Sequence, residues 1–253
     1  MFFLLQVRKM TIGSGRPKIC VPLVGSTKKE IIEQCMRANE SAAEIIEWRV
    51  DYFDDVADLE KVYDVVAVLR EMTDKLLLFT FRTKEEGGEQ SISLTAYQNL
   101  YTNIAYLGLV DLMDVELSVA QFLGRDFIND LKNAAVKIIM SSHDFEKTPA
   151  DGELVYRVNV MNQFGADIGK LAVMPHNLQD VLRVMGIPQK VRVFNQLPLA
   201  VMAMGDLGKV TRVSGEIIDS VFTFGSLNQA SAPGQIPVEQ LAQILDALHV
   251  TEQ

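Results

Sequence analysis

The stretch Ile168-Gly169-Lys170-Leu171-Ala172-Val173-Met174 carries the reading of this chain. Its apolar residues run on without the polar alternation of a half-exposed strand, which is the pattern of a parallel strand buried on both faces. Just beyond it, Leu178, Val181, Leu182 and Met185 recur at helical spacing and meet Gly186, so the unit is a strand followed by a helix. Working outward, similar apolar runs stand at Lys18–Val24, Glu44–Val50, Leu76–Arg82, Val110–Glu116, Val136–Ser142, Pro198–Met204 and Val221–Phe224. Helical patterns separate them. Thr27 and Glu30 have the spacing of a capping box ahead of Ile31, Ile32, Cys35 and Met36. Leu59, Val62, Tyr63, Val66 and Leu69 form a second helical stripe, and Val119, Phe122, Leu123 and Leu131 a third. Thr148-Pro149 offers a cap and a proline at the first helical position, with Gly165 as a stop. The last helix opens at Pro237 and is expected to bury Leu241, Ile244, Leu245 and Leu248.

Eight such units in 253 residues give about 32 residues each, the size expected of a (β/α)8 TIM barrel. The expectation is therefore an α/β protein with a single barrel domain over residues 1–253, and residues 1–16 as a short cap under the barrel. An open, doubly wound sheet is the competing architecture. Its nucleotide fingerprint is missing, because Gly13-Ser14-Gly15 lacks the third glycine and precedes the first strong strand.

Composition narrows the partners. With 24 Lys and Arg against 33 Asp and Glu, the chain carries a net charge of −9 and a pI of about 4.9. That argues against nucleic acid or an anionic membrane as partner, and leaves a small anionic substrate open. Two cysteines, Cys20 and Cys35, are too few for a disulfide framework and read as buried thiols in a reducing compartment. The opening Met-Phe-Phe-Leu-Leu has no basic residues before it and is ended by Gln6, Arg8 and Lys9, so no signal peptide is expected. No apolar run reaches the ~18 residues of a membrane span. A cytoplasmic location follows as the expectation.

In such a barrel the chemistry is built where strands end, and the polar residues collect there. Glu47 and Arg49 share one face of the second strand, Arg82 ends the third, and Glu86 follows in its loop. Asp114 and Glu116 lie on the fourth, His143 follows the fifth, Lys170 is in the sixth, and Met202 and Met204 end the seventh. Arg212, Ser231 and Gln235 fall in the last loops. A lysine among apolar neighbours is desolvated, which disfavours the ammonium and frees a nucleophilic amine. The alternative is a buried structural ion pair with Glu47, Asp114 or Glu116. His143 suits a general acid and base, with Glu86 to orient it. Arg49, Arg82 and Arg212 on one rim suit a carboxylate ligand, within a locally cationic pocket that also holds Lys170. Met202 and Met204 either line that pocket or pack in the core. No metal is expected, since no further histidine or cysteine stands at ligand spacing. These residues together indicate a barrel lyase or aldolase that forms a Schiff base with a small anionic carbonyl compound.

Several segments taken together resemble type I 3-dehydroquinate dehydratase, a family of class I aldolase-like barrels. They are Glu-Trp-Arg-Val-Asp at 47–51, Phe-Thr-Phe-Arg-Thr at 79–83, Glu-Gly-Gly-Glu-Gln at 86–90, Ser-His-Asp-Phe at 142–145 and Gly-Ala-Asp-Ile-Gly-Lys at 165–170. Ala-Val-Met-Pro at 172–175, Met-Ala-Met-Gly at 202–205, Arg-Val-Ser-Gly-Glu at 212–216, Thr-Phe-Gly-Ser at 223–226 and Ala-Ser-Ala-Pro-Gly-Gln at 230–235 complete the set. The resemblance implies that Lys170 is the Schiff-base lysine attacking 3-dehydroquinate, that His143 is the acid and base, and that Glu86 is the carboxylate beside it. It implies Arg212 as the clamp for the substrate carboxylate, with Ser231 and Gln235 in support, and Glu47, Arg49 and Arg82 around the ring hydroxyls. No cofactor is implied, because the imine on Lys170 is the electron sink, and a homodimer is. Two features depart from the family pattern: Pro22 stands where some members have a serine, and residues 186–209 look short and altered around the seventh helix and the loop after the seventh strand. A class I aldolase remains the competing enzyme, although Gly225-Ser226 is a poor phosphate loop. A non-catalytic barrel that only binds a ligand is the competing non-enzyme.

Overall fold

A computed structural model describes residues 4–227 and 231–250; the first three positions assigned to the cap, and Ala230 of the last matching segment, lie outside them. The chain opens with an antiparallel hairpin of β1 (Leu5–Val7) and β2 (Met10–Ile12). Eight parallel strands follow: β3 (Lys18–Leu23), β4 (Ile45–Arg49), β5 (Leu76–Thr80), β6 (Leu112–Glu116), β7 (Lys137–Asp144), β8 (Ile168–Val173), β9 (Leu199–Ala203) and β10 (Phe222–Ser226). Each of the eight predicted runs forms one of them. They pair in chain order, and β10 returns to β3, with Phe222 opposite Lys18. Between β9 and β10 the barrel closes on a single bridge. The Val221 amide donates to the Leu199 carbonyl at 2.8 Å, and the Val201 amide donates to the Ser220 hydroxyl at 3.0 Å. A two-residue β11 (Ile236–Pro237) extends the sheet beside the end of β10.

The outer layer is α1 (Lys28–Glu40), α2 (Leu59–Met72), α3 (Leu94–Tyr106), α4 (Leu117–Leu123), α5 (Arg125–Asn133), α6 (Asp151–Gln163), α7 (Leu178–Arg192), α8 (Lys209–Val213), α9 (Gly215–Ile218) and α10 (Val238–Ala247). The Thr27 and Glu30 capping box of α1 is formed. Four helix expectations need correction. Thr148 does not cap α6; its hydroxyl donates to the Met174 carbonyl at 3.0 Å, and the helix starts after Ala150. Gly186 does not stop α7, which runs on through Pro188 because Ile187, Pro188 and Val191 are buried against the sheet. That packing outweighs one missing amide. The stripe from Val119 to Leu131 is two helices, broken at Gly124, whose φ of 84° lies where glycine is favoured. Leu248, expected to be buried by the last helix, follows the end of α10 and is exposed. The short helices come after β9, where α8 and α9 hold five and four residues.

Two apolar cores meet at the sheet. The larger lies between the outward strand residues, such as Trp48, Phe79, Met140 and Leu171, and the helices. The smaller fills the floor of the barrel with Ile45, Leu76, Leu78, Leu112, Ile139, Ile168, Ala200 and Phe222. Val7 and Ile12 of the hairpin join that floor, so the predicted cap is a plug under the barrel.

Candidate active site

Side chains alternate along a strand, so the inward face of each strand can be followed upward from the floor. In β4 it passes from Ile45 to Glu47 and Arg49, in β6 from Leu112 to Asp114 and Glu116, in β7 from Ile139 to Ser141 and His143, and in β8 from Ile168 to Lys170. The apolar floor thus gives way to a polar ring near the C-terminal ends. Above it opens a cavity lined by Glu47, Arg49, Arg82, Glu86, His143, Lys170, Met202, Met204, Arg212, Ser231 and Gln235. Gly87, Phe145, Ala172, Phe224 and Ala232 complete the wall. All eleven side chains expected at the site therefore face one cavity.

Lys170 is buried at 5% exposure but is not alone. Nζ donates to Asp114 Oδ2 at 2.9 Å, lies 4.0 Å from Glu47 Oε1, and sits 4.5 Å from the centre of the Phe224 ring. The ion pair weighed as the alternative for Lys170 is thus formed, with Asp114 and Glu47, and two carboxylates and a ring face compensate for the water lost on burial. Glu47 in turn accepts from the Thr80 hydroxyl at 2.9 Å.

His143 is held by Glu86. Glu86 Oε2 lies 2.8 Å from His143 Nδ1 and accepts the His143 backbone amide at 3.1 Å, which leaves Nε2 as the ring nitrogen free to work on a ligand. Phe145 stacks on the imidazole with centroids 6.4 Å apart. Burial and the nearby Glu116 carboxylate push Glu86 up to about 8. Burial, together with Arg82 and Lys170, pushes His143 well below the usual imidazole range. Both directions favour the uncharged forms of the two groups.

The arginines divide into two kinds. Arg49 makes a two-pronged pair with Asp51, both contacts at 2.8 Å, and its guanidinium lies over the Tyr52 ring. Arg82 meets Asp114 at 2.8 Å and Glu116 at 3.1 Å, and donates to Ser141 at 2.9 Å. Burial pushes the Asp114 carboxyl up, but Arg82 and Lys170 outweigh it and hold it well below the usual carboxylate range. Arg212, at 2% exposure, meets no carboxylate among the described residues: it donates to the Pro233 carbonyl at 3.0 Å and approaches the Met202 sulfur at 4.0 Å. Its Nε is buried without a partner, and burial pulls its pKa down to about 10. The expectation of a cationic pocket is corrected accordingly. Arg49, Arg82 and Lys170 face carboxylates, whereas Arg212 faces none among the described residues. Next to it, Gln235 donates to the Ser231 hydroxyl at 3.0 Å and accepts the Ser231 amide at 2.9 Å.

A family model described as Type I 3-dehydroquinase matches residues 19–252. The chain belongs to the type I 3-dehydroquinate dehydratases. As members of that family, it and its relatives are hydro-lyases. It is 43% identical over 251 residues to the 3-dehydroquinate dehydratase of Clostridioides difficile, covering 97% of both chains. It is also 43% identical to that of Klebsiella pneumoniae, covering 96% of this chain and 98% of the relative. Among solved structures, the type I enzyme of Clostridium difficile with covalently modified comenic acid superposes with a TM-score of 0.94 at 42% identity, over 98% of each chain. The Geobacillus kaustophilus dehydratase gives 0.93 at 33% identity, again over 98% of each chain.

At this site, sequence reasoning gave no role to Asp51, Ser141, Phe145 or Phe224, and it placed Asp114 among the strand-end polar residues and weighed it as an ion-pair partner of Lys170. Alternation along β6 and β7 was the available signal for Asp114 and Ser141. Phe145 had none, because it lies past the strand end. A larger cleft of about 800 Å³ opens at the opposite face of the barrel. Its charged side chains are already paired, Arg16 with Asp246, Arg192 with Asp219 and His249 with Glu216, so it does not compete as the catalytic site.

Proposed function

We propose that this chain converts 3-dehydroquinate to 3-dehydroshikimate and water, a step of the shikimate pathway, through an imine on Lys170. The observation that carries this reading is the meeting of Lys170, the His143–Glu86 pair and the unmatched Arg212 around one cavity. The substrate carboxylate supplies the charge that Arg212 lacks, and a guanidinium fork suits it. Ser231 and Gln235 flank that end, Glu47 and Arg49 face the ring hydroxyls, Arg82 holds the carboxylates beneath, and Met202 and Met204 form the apolar wall.

Nζ attacks the C3 ketone, and the carbonyl oxygen leaves as water. The resulting iminium is a stronger electron sink than the ketone, so His143 Nε2 removes the C2 proton and leaves an enamine. Electrons return from the nitrogen through C2 to expel the C1 hydroxyl, which takes the proton from His143. Hydrolysis of the conjugated imine releases product. Glu86 fixes the ring so that Nε2 does this work, and no metal or organic cofactor enters the scheme. We take the protein to be a cytoplasmic homodimer as well. Exposed Leu178 and Leu182 on α7 are apolar surface for such a contact, and light scattering on the 28.2 kDa chain should return twice that mass.

The assay follows the conjugated enone on addition of 3-dehydroquinate. The parent chain is expected to form it and Lys170→Ala to be slower by more than about 10³-fold. Release of a three-carbon fragment would indicate an aldolase, and binding without turnover a non-catalytic barrel.

A further inference from the structure

The imine route proposed above leaves open what balances the charge on the lysine nitrogen, and Asp114 is placed to do so. Its side chain is fully buried, with Oδ2 2.9 Å from Lys170 Nζ. The same carboxylate takes Arg82 Nη2 at 2.8 Å and the Ser141 hydroxyl at 2.5 Å. The backbone beneath it is pinned too, since the Tyr101 hydroxyl donates to the Asp114 carbonyl at 2.6 Å. An anion fixed by three side-chain donors and a tied main chain does not follow the substrate. It stays where the nitrogen is.

We infer that Asp114 is the fixed counter-ion of the reacting nitrogen and keeps the imine protonated through the dehydration. This inference rests on the imine reading of Lys170. The nitrogen is positive in the first iminium, neutral in the enamine once the C2–H bond breaks, and positive again when the C1–O bond breaks and the electron pair moves from nitrogen toward C2 and C1. A secondary iminium keeps one N–H, and Oδ2 stands at hydrogen-bond distance from that nitrogen. Without Asp114, the iminium would lie buried beside Arg82 with only the more distant Glu47, whose Oε1 is 4.0 Å from Nζ, and would shed its proton more readily; a neutral imine withdraws electrons too weakly to acidify C2. Sharing has a second effect. Arg82 and Ser141 take part of the carboxylate's charge, so the iminium is held without being trapped relative to the enamine that must follow. The Phe224 ring face, 4.5 Å from Nζ, adds attraction for the cation without adding a base.

The test is the pH profile of kcat for Asp114→Asn, with Asp114→Glu as the conservative rescue. In Asp114→Asn the alkaline limb of kcat is expected to move down by about one pH unit or more, with a loss of at least about tenfold at pH 8 and a borohydride-trapped adduct still forming on Lys170 at pH 6. Asp114→Glu should bring the limb back toward its parental position even if the rate is lower. A parental limb in folded Asp114→Asn overturns the inference. Should Asp114→Asn fail to fold, Ser141→Ala reads the same group, because it removes no charge and frees the carboxylate to bind the nitrogen more strongly. Its alkaline limb should rise, and an unmoved limb counts against the inference. An unmodified enzyme that turns over yet yields no adduct on Lys170 removes the imine reading itself, a result distinct from a failure of Asp114 alone.

Discussion

Arg212 and Arg82 show how two buried arginines of one site come to have opposite roles. Arg82 neutralises Asp114 and Glu116, so Arg82→Ala strands buried carboxylates and is expected to lose about 3–5 kcal/mol of stability by denaturant unfolding. Arg212 has no carboxylate partner among the described residues, so Arg212→Ala should keep or raise stability while increasing KM for 3-dehydroquinate by roughly 10- to 100-fold, the scale of one or two lost charge-assisted hydrogen bonds. Both arginines looked alike in the sequence. Their difference depends on residues from other strands, Asp114 on β6 and Ser141 on β7, which no local pattern brings to Arg82. Lys170 was legible because a cation inside an apolar run is conspicuous, and its partners were legible only as three candidates, of which the closed barrel brings Asp114 and Glu47 to it. Glu86 carries a pH prediction. Its pKa is raised from the ordinary 4.5 to about 8, so the folded state holds a proton that the unfolded chain has lost. Its contribution is present below about pH 4.5 and declines as pH rises to about 8. His143, pushed down, has the opposite sign below its ordinary 6.5. Glu86→Gln should therefore flatten the fall in Tm between pH 5 and 8 and be the more stable protein at the alkaline end, while its activity drops as the imidazole loses its anchor.

The loop after β5 shows what an element contributes that its residues do not. Thr83 accounts for its start: the Thr83 amide and hydroxyl donate to Glu116 at 2.8 and 2.7 Å. A short 3-10 turn over Lys84–Glu86 then presents Glu86 to His143, and Gly87 ends the turn at φ 83°. A Cβ at Gly87 would come within 2.4 Å of the Phe145 ring, the ring stacked on the imidazole. Gly87→Ala is therefore expected to lower kcat by about tenfold or more through a displaced Phe145 and His143, with a smaller change in overall stability. Stopped-flow or steady-state kinetics beside a thermal melt separate the two effects. All eight barrel strands were visible as apolar runs because both of their faces are covered. Helix boundaries were less legible. Capping residues at Thr148 and Gly186 sent local signals that packing overrode, whereas the Gly124 break has only a single glycine to announce it.

Across the whole molecule, polarity rises along the barrel axis. The floor is sealed by Val7 and Ile12 of the hairpin and by the lowest inward apolar residue of each strand, and the charged ring sits above it near the strand ends. A low-polarity floor keeps water from reaching Lys170 from below, which strengthens each interaction in the ring. The net charge of −9 then coexists with an anion site, because the acidic excess is distributed over the molecule while Arg212 waits unmatched inside. The barrel followed from the count and order of its units, whereas the balanced charges of the ring emerge only when the strands close on one another. The central claim is that Lys170 forms the covalent link to substrate, and borohydride reduction during turnover of 3-dehydroquinate tests it most directly. The account predicts a stable adduct found by peptide mass analysis on Lys170 and absent from Lys170→Ala. An active protein whose Lys170 peptide stays unmodified would contradict it.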